Sequence, residues 1–139
     1  MQKDLPGIYR VEQGSFRHPY PPYLIDSLFD KNRQAFFVAE VGDRVVGYAI
    51  AEVETPGNGH VISVAVSSDM RGRGIGEALM GRLIEELKGI GVSRIRLEVE
   101  KNNVIAQRMY RRLGFVVTHI IRDYYEADGD ALVMTLSLE

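Results

Sequence analysis

The feature that most constrains this chain is a change of hydrophobic period across a glycine-rich bend. Val61-Ile62-Ser63-Val64-Ala65-Val66 is a nearly continuous β-branched run, which predicts a central strand covered on both faces. From Gly74 onward Ile75, Leu79, Leu83 and Leu87 recur every four residues with Met80 and Ile84 beside them, so an amphipathic helix is expected, ended by Gly89 and Gly91. Arg71-Gly72-Arg73-Gly74-Ile75-Gly76 joins the two. There, successive backbone N–H groups and the positive helix end can surround a pyrophosphate, and two arginines add charge. A merely tight strand-to-helix turn uses the same glycines. Arg94 to Glu100 alternates Ile95, Leu97 and Val99 with charged residues, which reads as a strand with one polar face, and a parallel crossover closes a βαβ unit.

The flanks extend this unit. Asp4-Leu5-Pro6 opens a helix through Ile8, Tyr9, Val11 and Glu12 that ends near Gly14. The prolines of His18-Pro19-Tyr20-Pro21-Pro22-Tyr23 make a stiff aromatic loop, after which a second helix carries Leu24, Ile25, Leu28 and Phe29. Ala35 to Glu40 and Val45 to Val53 form a hairpin about Gly42-Asp43, and Thr55 to Gly59 turns the chain again. Asn103 to Leu113 reads as a helix stopped by Gly114. Phe115 to Tyr125 and Ala131 to Leu138 read as strands joined through Ala127-Asp128-Gly129. The expected order is ααβββαβαββ, without repeats or linkers.

At 139 residues, one domain is expected, because two cores would each be marginal. A net charge of -2 gives no overall attraction to nucleic acid or anionic membrane, so any phosphate binding must be local. No cysteine is present, which excludes disulfides, thiolate metal sites and an acyl-cysteine intermediate within the chain. No signal peptide or apolar span is legible, and a cytoplasmic protein is expected.

Neither Walker A nor the dinucleotide fingerprint fits the bend. Arg71-x-x-Gly74-x-Gly76 after Ile62-Ser63-Val64-Ala65-Val66 resembles the acetyl-CoA loop of the GNAT (GCN5-related N-acetyltransferase) superfamily. The likeness continues through Leu97-Glu98-Val99, Asn102-Asn103, Ala106, Tyr110, Leu113-Gly114-Phe115, Tyr124-Tyr125 and Asp130-Ala131. Gly59-His60-x-x-Ser63-x-Ala65-Val66 and the paired tyrosines are most similar to RimI-type and archaeal N-terminal acetyltransferases. The resemblance implies an α/β (α+β) GNAT fold: a mixed, mostly antiparallel twisted sheet with a central βαβ acetyl-CoA-binding unit and helices on both faces. It also implies strands that splay apart near Val66 and Val99 to admit the pantetheine arm. The family usually opens with a strand before its first helix, whereas here a helix begins by Asp4; that strand is absent or the chain starts late.

For acetyl-CoA, the resemblance implies backbone pairing by Val64, Ala65 and Val66, pyrophosphate binding by Arg71, Gly72, Arg73, Gly74, Ile75, Gly76 and Glu77, and contact from Asn103. Amide formation from a thioester needs a neutral amine, a stabilised oxyanion and a protonated leaving group. Glu98 and His60 are the candidate bases. Glu98 equally reads as a partner of Arg94 or Arg96 on a polar strand face, and His60 as a turn histidine after Gly57-Asn58-Gly59. Tyr110 is the candidate proton donor to the sulfur and also a plausible core ring. Phe16, Tyr20, Tyr23, Tyr124 and Tyr125 are candidate lining for the acceptor. His18 stands where some relatives carry a glutamate, so their preference does not transfer. The implied reaction moves acetyl onto the α-amino group of a protein or peptide by direct attack in a ternary complex. Lysine or small-amine acetylation and a non-catalytic acyl-CoA sensor are the alternatives. No metal or membrane is expected, nor is nucleic acid as a partner. Arg108, Arg111 and Arg112 leave a ribosome or substrate-protein contact open, although such arginines are usually solvated. A monomer or weak homodimer is expected.

Overall fold

The computed structural model describes residues 4–15, 35–122, 124 and 129–138. In chain order these form α1 (Leu5–Ser15), β1 (Phe36–Val41), β2 (Arg44–Thr55), β3 (Asn58–Val66), a 3-10 turn (Ser68–Met70), α2 (Ile75–Gly89), β4 (Arg94–Glu100), α3 (Val104–Arg112), β5 (Val116–Ile121) and β6 (Ala131–Ser137). The six strands have the order β1-β2-β3-β4-β6-β5. β3 pairs in parallel with β4, while β1–β2, β4–β6 and β5–β6 are antiparallel, giving the expected mixed sheet. The second expected helix and the turn residues Ala127 and Asp128 lie outside the described residues. Two compact units are present, interleaved in sequence: Met1–Glu52 with Ile62–Leu87, and Val53–Val61 with Lys88–Glu139.

In the first unit, Leu5, Ile8 and Val11 of α1 cluster with Phe36, Tyr48, Ile50 and Ala65. Their spacing places them on one helix face, which is why α1 docks there. Residues 45–51 of β2 are buried at every position. Tyr48 meets the α1 cluster, while the neighbouring Gly47, on the opposite strand face, is approached by α2. A Cβ on Gly47 would lie 3.0 Å from the Ala65 carbonyl oxygen and 3.1 Å from Leu79 Cδ1, so any side chain there would press its neighbours apart by a few tenths of an ångström. β2 is therefore the doubly covered strand. This corrects the expectation for 61–66: β3 alternates, with Val61, Ser63 and Ala65 buried and Ile62, Val64 and Val66 half-buried. An apolar run alone does not tell coverage on two faces from coverage on one.

The same core holds a polar cluster. Glu12 is 1% exposed, and the Tyr48 hydroxyl donates a hydrogen bond to its carboxylate and lies 3.0 Å from Ser63 Oγ. A carboxylate in an apolar interior needs such donors, since burying it unpaired is costly.

In the second unit, Ile95, Leu97 and Val99 of β4 are buried and the intervening charges point the other way, as the alternation predicts. β4 pairs with β6 along its whole length, from Arg94↔Ser137 to Glu100↔Ala131. Its parallel ladder with β3 comprises Asn58↔Arg94, Gly59↔Ile95 and His60↔Arg96. Asn103 caps α3, its Oδ1 accepting from the Ala106 N–H at 3.1 Å. Buried Gln107 ties that helix to the end of β4, donating to the carbonyls of Glu100 (3.1 Å) and Lys101 (2.8 Å). β5 ends at Ile121, short of the expected Tyr125.

Candidate functional site

The glycine bend belongs to the first unit. Gly72 and Gly74 have φ of +80° and +79°, the left-handed region that side chains with a Cβ rarely adopt. Nothing lies within 4 Å of where a Cβ would stand on either, so the backbone faces open space. The Ala78 N–H donates to the Gly74 carbonyl at 3.0 Å, so the N–H groups of Ile75 and Gly76 belong to the first turn, which has no acceptor within α2. Arg73 is exposed, with no ion-pair partner among the described residues. Arg71 has a different task. Its Nε donates to the Val66 carbonyl at 3.0 Å and a terminal nitrogen reaches Ser15 Oγ at 3.3 Å, so it clamps the bend to the end of β3. Before the bend, Asp69 accepts from Ser67 and from Arg44 (2.6 Å); these bonds, that from Ser67 foremost, hold its carboxyl below the usual range. The glycine backbone, the positive helix end and the exposed Arg73 guanidinium suit a diphosphate.

The titratable groups belong to the second unit. His60 and Arg96 are direct partners in the β3–β4 ladder, and Glu98 follows two residues later on the same face of β4. His60 Nε2 and Glu98 Oε1 are 2.7 Å apart, with the side chains 18% and 12% exposed. The two candidate bases are thus one hydrogen-bonded pair. Tyr124 also hydrogen-bonds Glu98, and Arg96 Nε stands 3.8 Å from Glu98 Oε2. Burial pushes the Glu98 carboxyl up, but the His60 hydrogen bond and charge, Arg96 and Tyr124 together outweigh it and hold the group below its ordinary range. At neutral pH Glu98 is a carboxylate, which can only accept, so in this hydrogen bond Nε2 carries a proton and donates it. Burial and the neighbouring Glu98 charge push the Tyr124 hydroxyl up.

Tyr110 is 7% exposed and packs against Phe115, ring centroids 5.9 Å apart. Its hydroxyl has no hydrogen-bond partner among the described residues, and burial pushes its pKa up to about 12. It therefore stays protonated throughout the neutral range. Asn103 has its Oδ1 engaged as the cap of α3. Phe16, Tyr20, Tyr23 and Tyr125 lie outside the described residues. Two members of the polar face were not singled out from sequence. Glu54 lies at the end of β2 and Arg96 appeared only as a surface partner, yet the parallel register that pairs Arg96 with His60 is the signal that joins them.

The profile of the Acetyltransferase (GNAT) family matches residues 5–115. An uncharacterized N-acetyltransferase of Methanocaldococcus jannaschii, MJ1530, is 40% identical over 133 residues, covering 95% of this chain and 85% of the relative. An N-alpha-acetyltransferase of Sulfurisphaera tokodaii is 31% identical over 97% of this chain and 88% of its own length. Among solved structures, the ribosomal-protein-S18-alanine N-acetyltransferase of Escherichia coli superposes with a TM-score of 0.90 at 29% identity, covering all of this chain and 90% of the other.

Proposed function

This chain belongs to the Acetyltransferase (GNAT) family, and from that premise we propose that it transfers acetyl from acetyl-CoA to the α-amino group of a peptide or protein, by direct attack in a ternary complex. The observation that carries the reading is the 2.7 Å bond between His60 and Glu98, a proton-accepting pair on a polar strand face with the Tyr124 hydroxyl upon it. Similarity to the S. tokodaii and E. coli enzymes supports the choice of an α-amino acceptor.

When bound, acetyl-CoA supplies an acetyl group activated as a thioester. Gly72, Arg73, Gly74, Ile75, Gly76 and Glu77 would hold its diphosphate through backbone N–H groups and the Arg73 charge, with Arg71 keeping the bend in shape. Val64, Ala65 and Val66 would present main-chain groups to the pantetheine, and Asn103 a side-chain amide. The His60–Glu98 pair takes the proton of the incoming ammonium, directly or through one water, and the ring can store it at Nδ1. Tyr110 holds a proton at its hydroxyl for the departing sulfur. Tyr124, with Phe16, Tyr20, Tyr23 and Tyr125, would line the acceptor's path.

The strength of the base fits an α-amine. An α-amino group has an ordinary pKa near 8 and a lysine one of about 10.4, so at neutral pH roughly a tenth of the former is neutral and under a thousandth of the latter. A carboxylate–imidazole pair is sufficient for the first and poorly matched to the second. No described helix is long and apolar enough to cross a membrane, and we place the activity in the cytoplasm, on nascent or finished proteins.

Purified protein should be given acetyl-CoA with peptides bearing free N-termini, N-blocked peptides containing lysine, and small diamines. Mass spectrometry should find acetyl on the α-amine, and initial-rate plots should intersect. Acetylation confined to blocked peptides or diamines would favour the lysine or small-amine reading; cofactor binding without turnover would make the protein a sensor.

A further inference from the structure

His60 is flanked on both sides. Its Nε2 faces Glu98, while its Nδ1 lies 3.7 Å from Glu54 Oε2, just beyond hydrogen-bond reach. Glu54 does not sit there unsupported: Arg96 grips it with two parallel bonds of 3.1 and 2.9 Å, a fork-to-carboxylate arrangement that fixes direction as well as distance. The same guanidinium turns its Nε toward Glu98 at 3.8 Å. One cation therefore bridges the two carboxylates that bracket the ring. Three strands contribute, since Glu54 ends β2, His60 opens β3, and Arg96 and Glu98 lie on β4.

We propose that Glu54 and Arg96 are positioning residues for acetyl transfer: the Arg96-held carboxylate fixes the orientation of the His60 ring, keeping Nε2–H on Glu98 and Nδ1 toward Glu54, where a proton arriving at the ring finds a second negative partner. This inference rests on the acetyl-transfer reading above and extends it to two residues that act through His60 and Glu98.

The physical argument has two steps. An imidazole bonded at one nitrogen to one carboxylate can still rotate or invert; once the ring carries a proton at each nitrogen, a second carboxylate facing Nδ1 restrains that freedom by attraction. Two carboxylates bracketing one ring repel each other unless a cation lies between them, and Arg96 is that cation. A stabilising role alone is a weak explanation. Arg96 and Glu54 are over a third exposed, and ion pairs that exposed contribute little to folding. Variants should consequently fold, which makes the proposal testable.

Arg96→Gln, Arg96→Lys and Glu54→Gln should be compared with wild type in kcat, KM and their pH dependence. The ring nitrogens of His60 should be followed in parallel by ¹⁵N NMR of histidine-labelled protein, a readout that needs no activity. Among the described residues, the groups facing Glu98 are His60, Arg96 and Tyr124, with Glu54 beyond the ring. Losing the Arg96 charge should move the acid limb of kcat to higher pH. In Arg96→Gln and Glu54→Gln, kcat should fall about tenfold, a part of the roughly 10²–10⁴-fold that general-base catalysis supplies, with KM for acetyl-CoA unchanged. The ¹⁵N signals should shift toward a mixture of ring states. Arg96→Lys should restore the limb, because charge is kept, but not the ring signals, because the fork is lost. Unchanged ring signals and pH profiles in both glutamine variants would overturn the proposal. A wild-type protein that acetylates nothing, yet shows the ring fixed by Glu54 and Arg96, would instead overturn the transferase reading and leave the positioning geometry standing.

Discussion

Each unit of the molecule contains a buried tyrosine, and the two are treated in opposite ways. Tyr48, 2% exposed, has its hydroxyl bonded to Glu12 and near Ser63. Tyr110, 7% exposed, has a hydroxyl with no partner among the described residues and a pKa pushed up to about 12. Buried hydroxyls are normally satisfied, as Tyr48 is; no described side-chain oxygen is both fully buried and unpartnered, so the Tyr110 hydroxyl, with its ring packed on Phe115, opens to accessible surface, as the proposed donor to the sulfur requires. On the proposed reading, the difference separates a side chain that holds the fold from one that serves the chemistry.

Removing each hydroxyl should therefore have opposite consequences. Tyr110→Phe should lower kcat by roughly 100-fold, the range of a lost general acid, while urea unfolding barely changes. Tyr48→Phe should instead cost about 1–3 kcal/mol of stability, because the Glu12 carboxylate loses a donor in the core, and kcat per folded molecule should hold. Equal effects of the two substitutions on turnover would erase the contrast.

Alkaline unfolding sharpens it further. The folded-state pKa of Tyr110 is raised from 10.0 to about 12, so the folded protein disfavours its ionised form more than the unfolded chain does. That contribution to stability is complete below pH 10 and is lost as pH rises through about 12. Denaturant midpoints measured across this window should fall more steeply for wild type than for Tyr110→Phe; parallel declines would show that the ring's burial has no such consequence. The smallest effect is expected at Asn103, where Ala should cost about 1 kcal/mol through the lost cap of α3. A larger loss in acetyl-CoA affinity than in stability would mean that the amide contacts the cofactor.

Much of this arrangement was legible in the residues alone. The change of period at the glycines located β3, the bend and α2, and the alternation in 94–100 located β4 and its polar face. What could not be read was coverage: β3 has the more β-branched sequence, yet β2 is buried at every position because α1 and α2 both approach it. Nor could pairing between distant charges be read. Glu98 and His60 were visible as separate candidates, 38 residues apart, and only the strand register makes them one unit. Glu54 and Arg96 looked like ordinary surface charges, because nothing in a sequence states which side chains share a face after a crossover. Arg71 shows the converse, its charge suggesting an anion ligand while two of its nitrogens are bonded to the Val66 carbonyl and Ser15 Oγ.

The central claim is that His60 and Glu98 act as one base. A double-mutant cycle on kcat tests it most directly, using Glu98→Gln, His60→Gln and the double variant under saturating acetyl-CoA and peptide. Groups that work as a unit are strongly non-additive, so the double variant should be scarcely slower than the worse single one. Losses that simply multiply would contradict the account, because they would mean that the two side chains act independently.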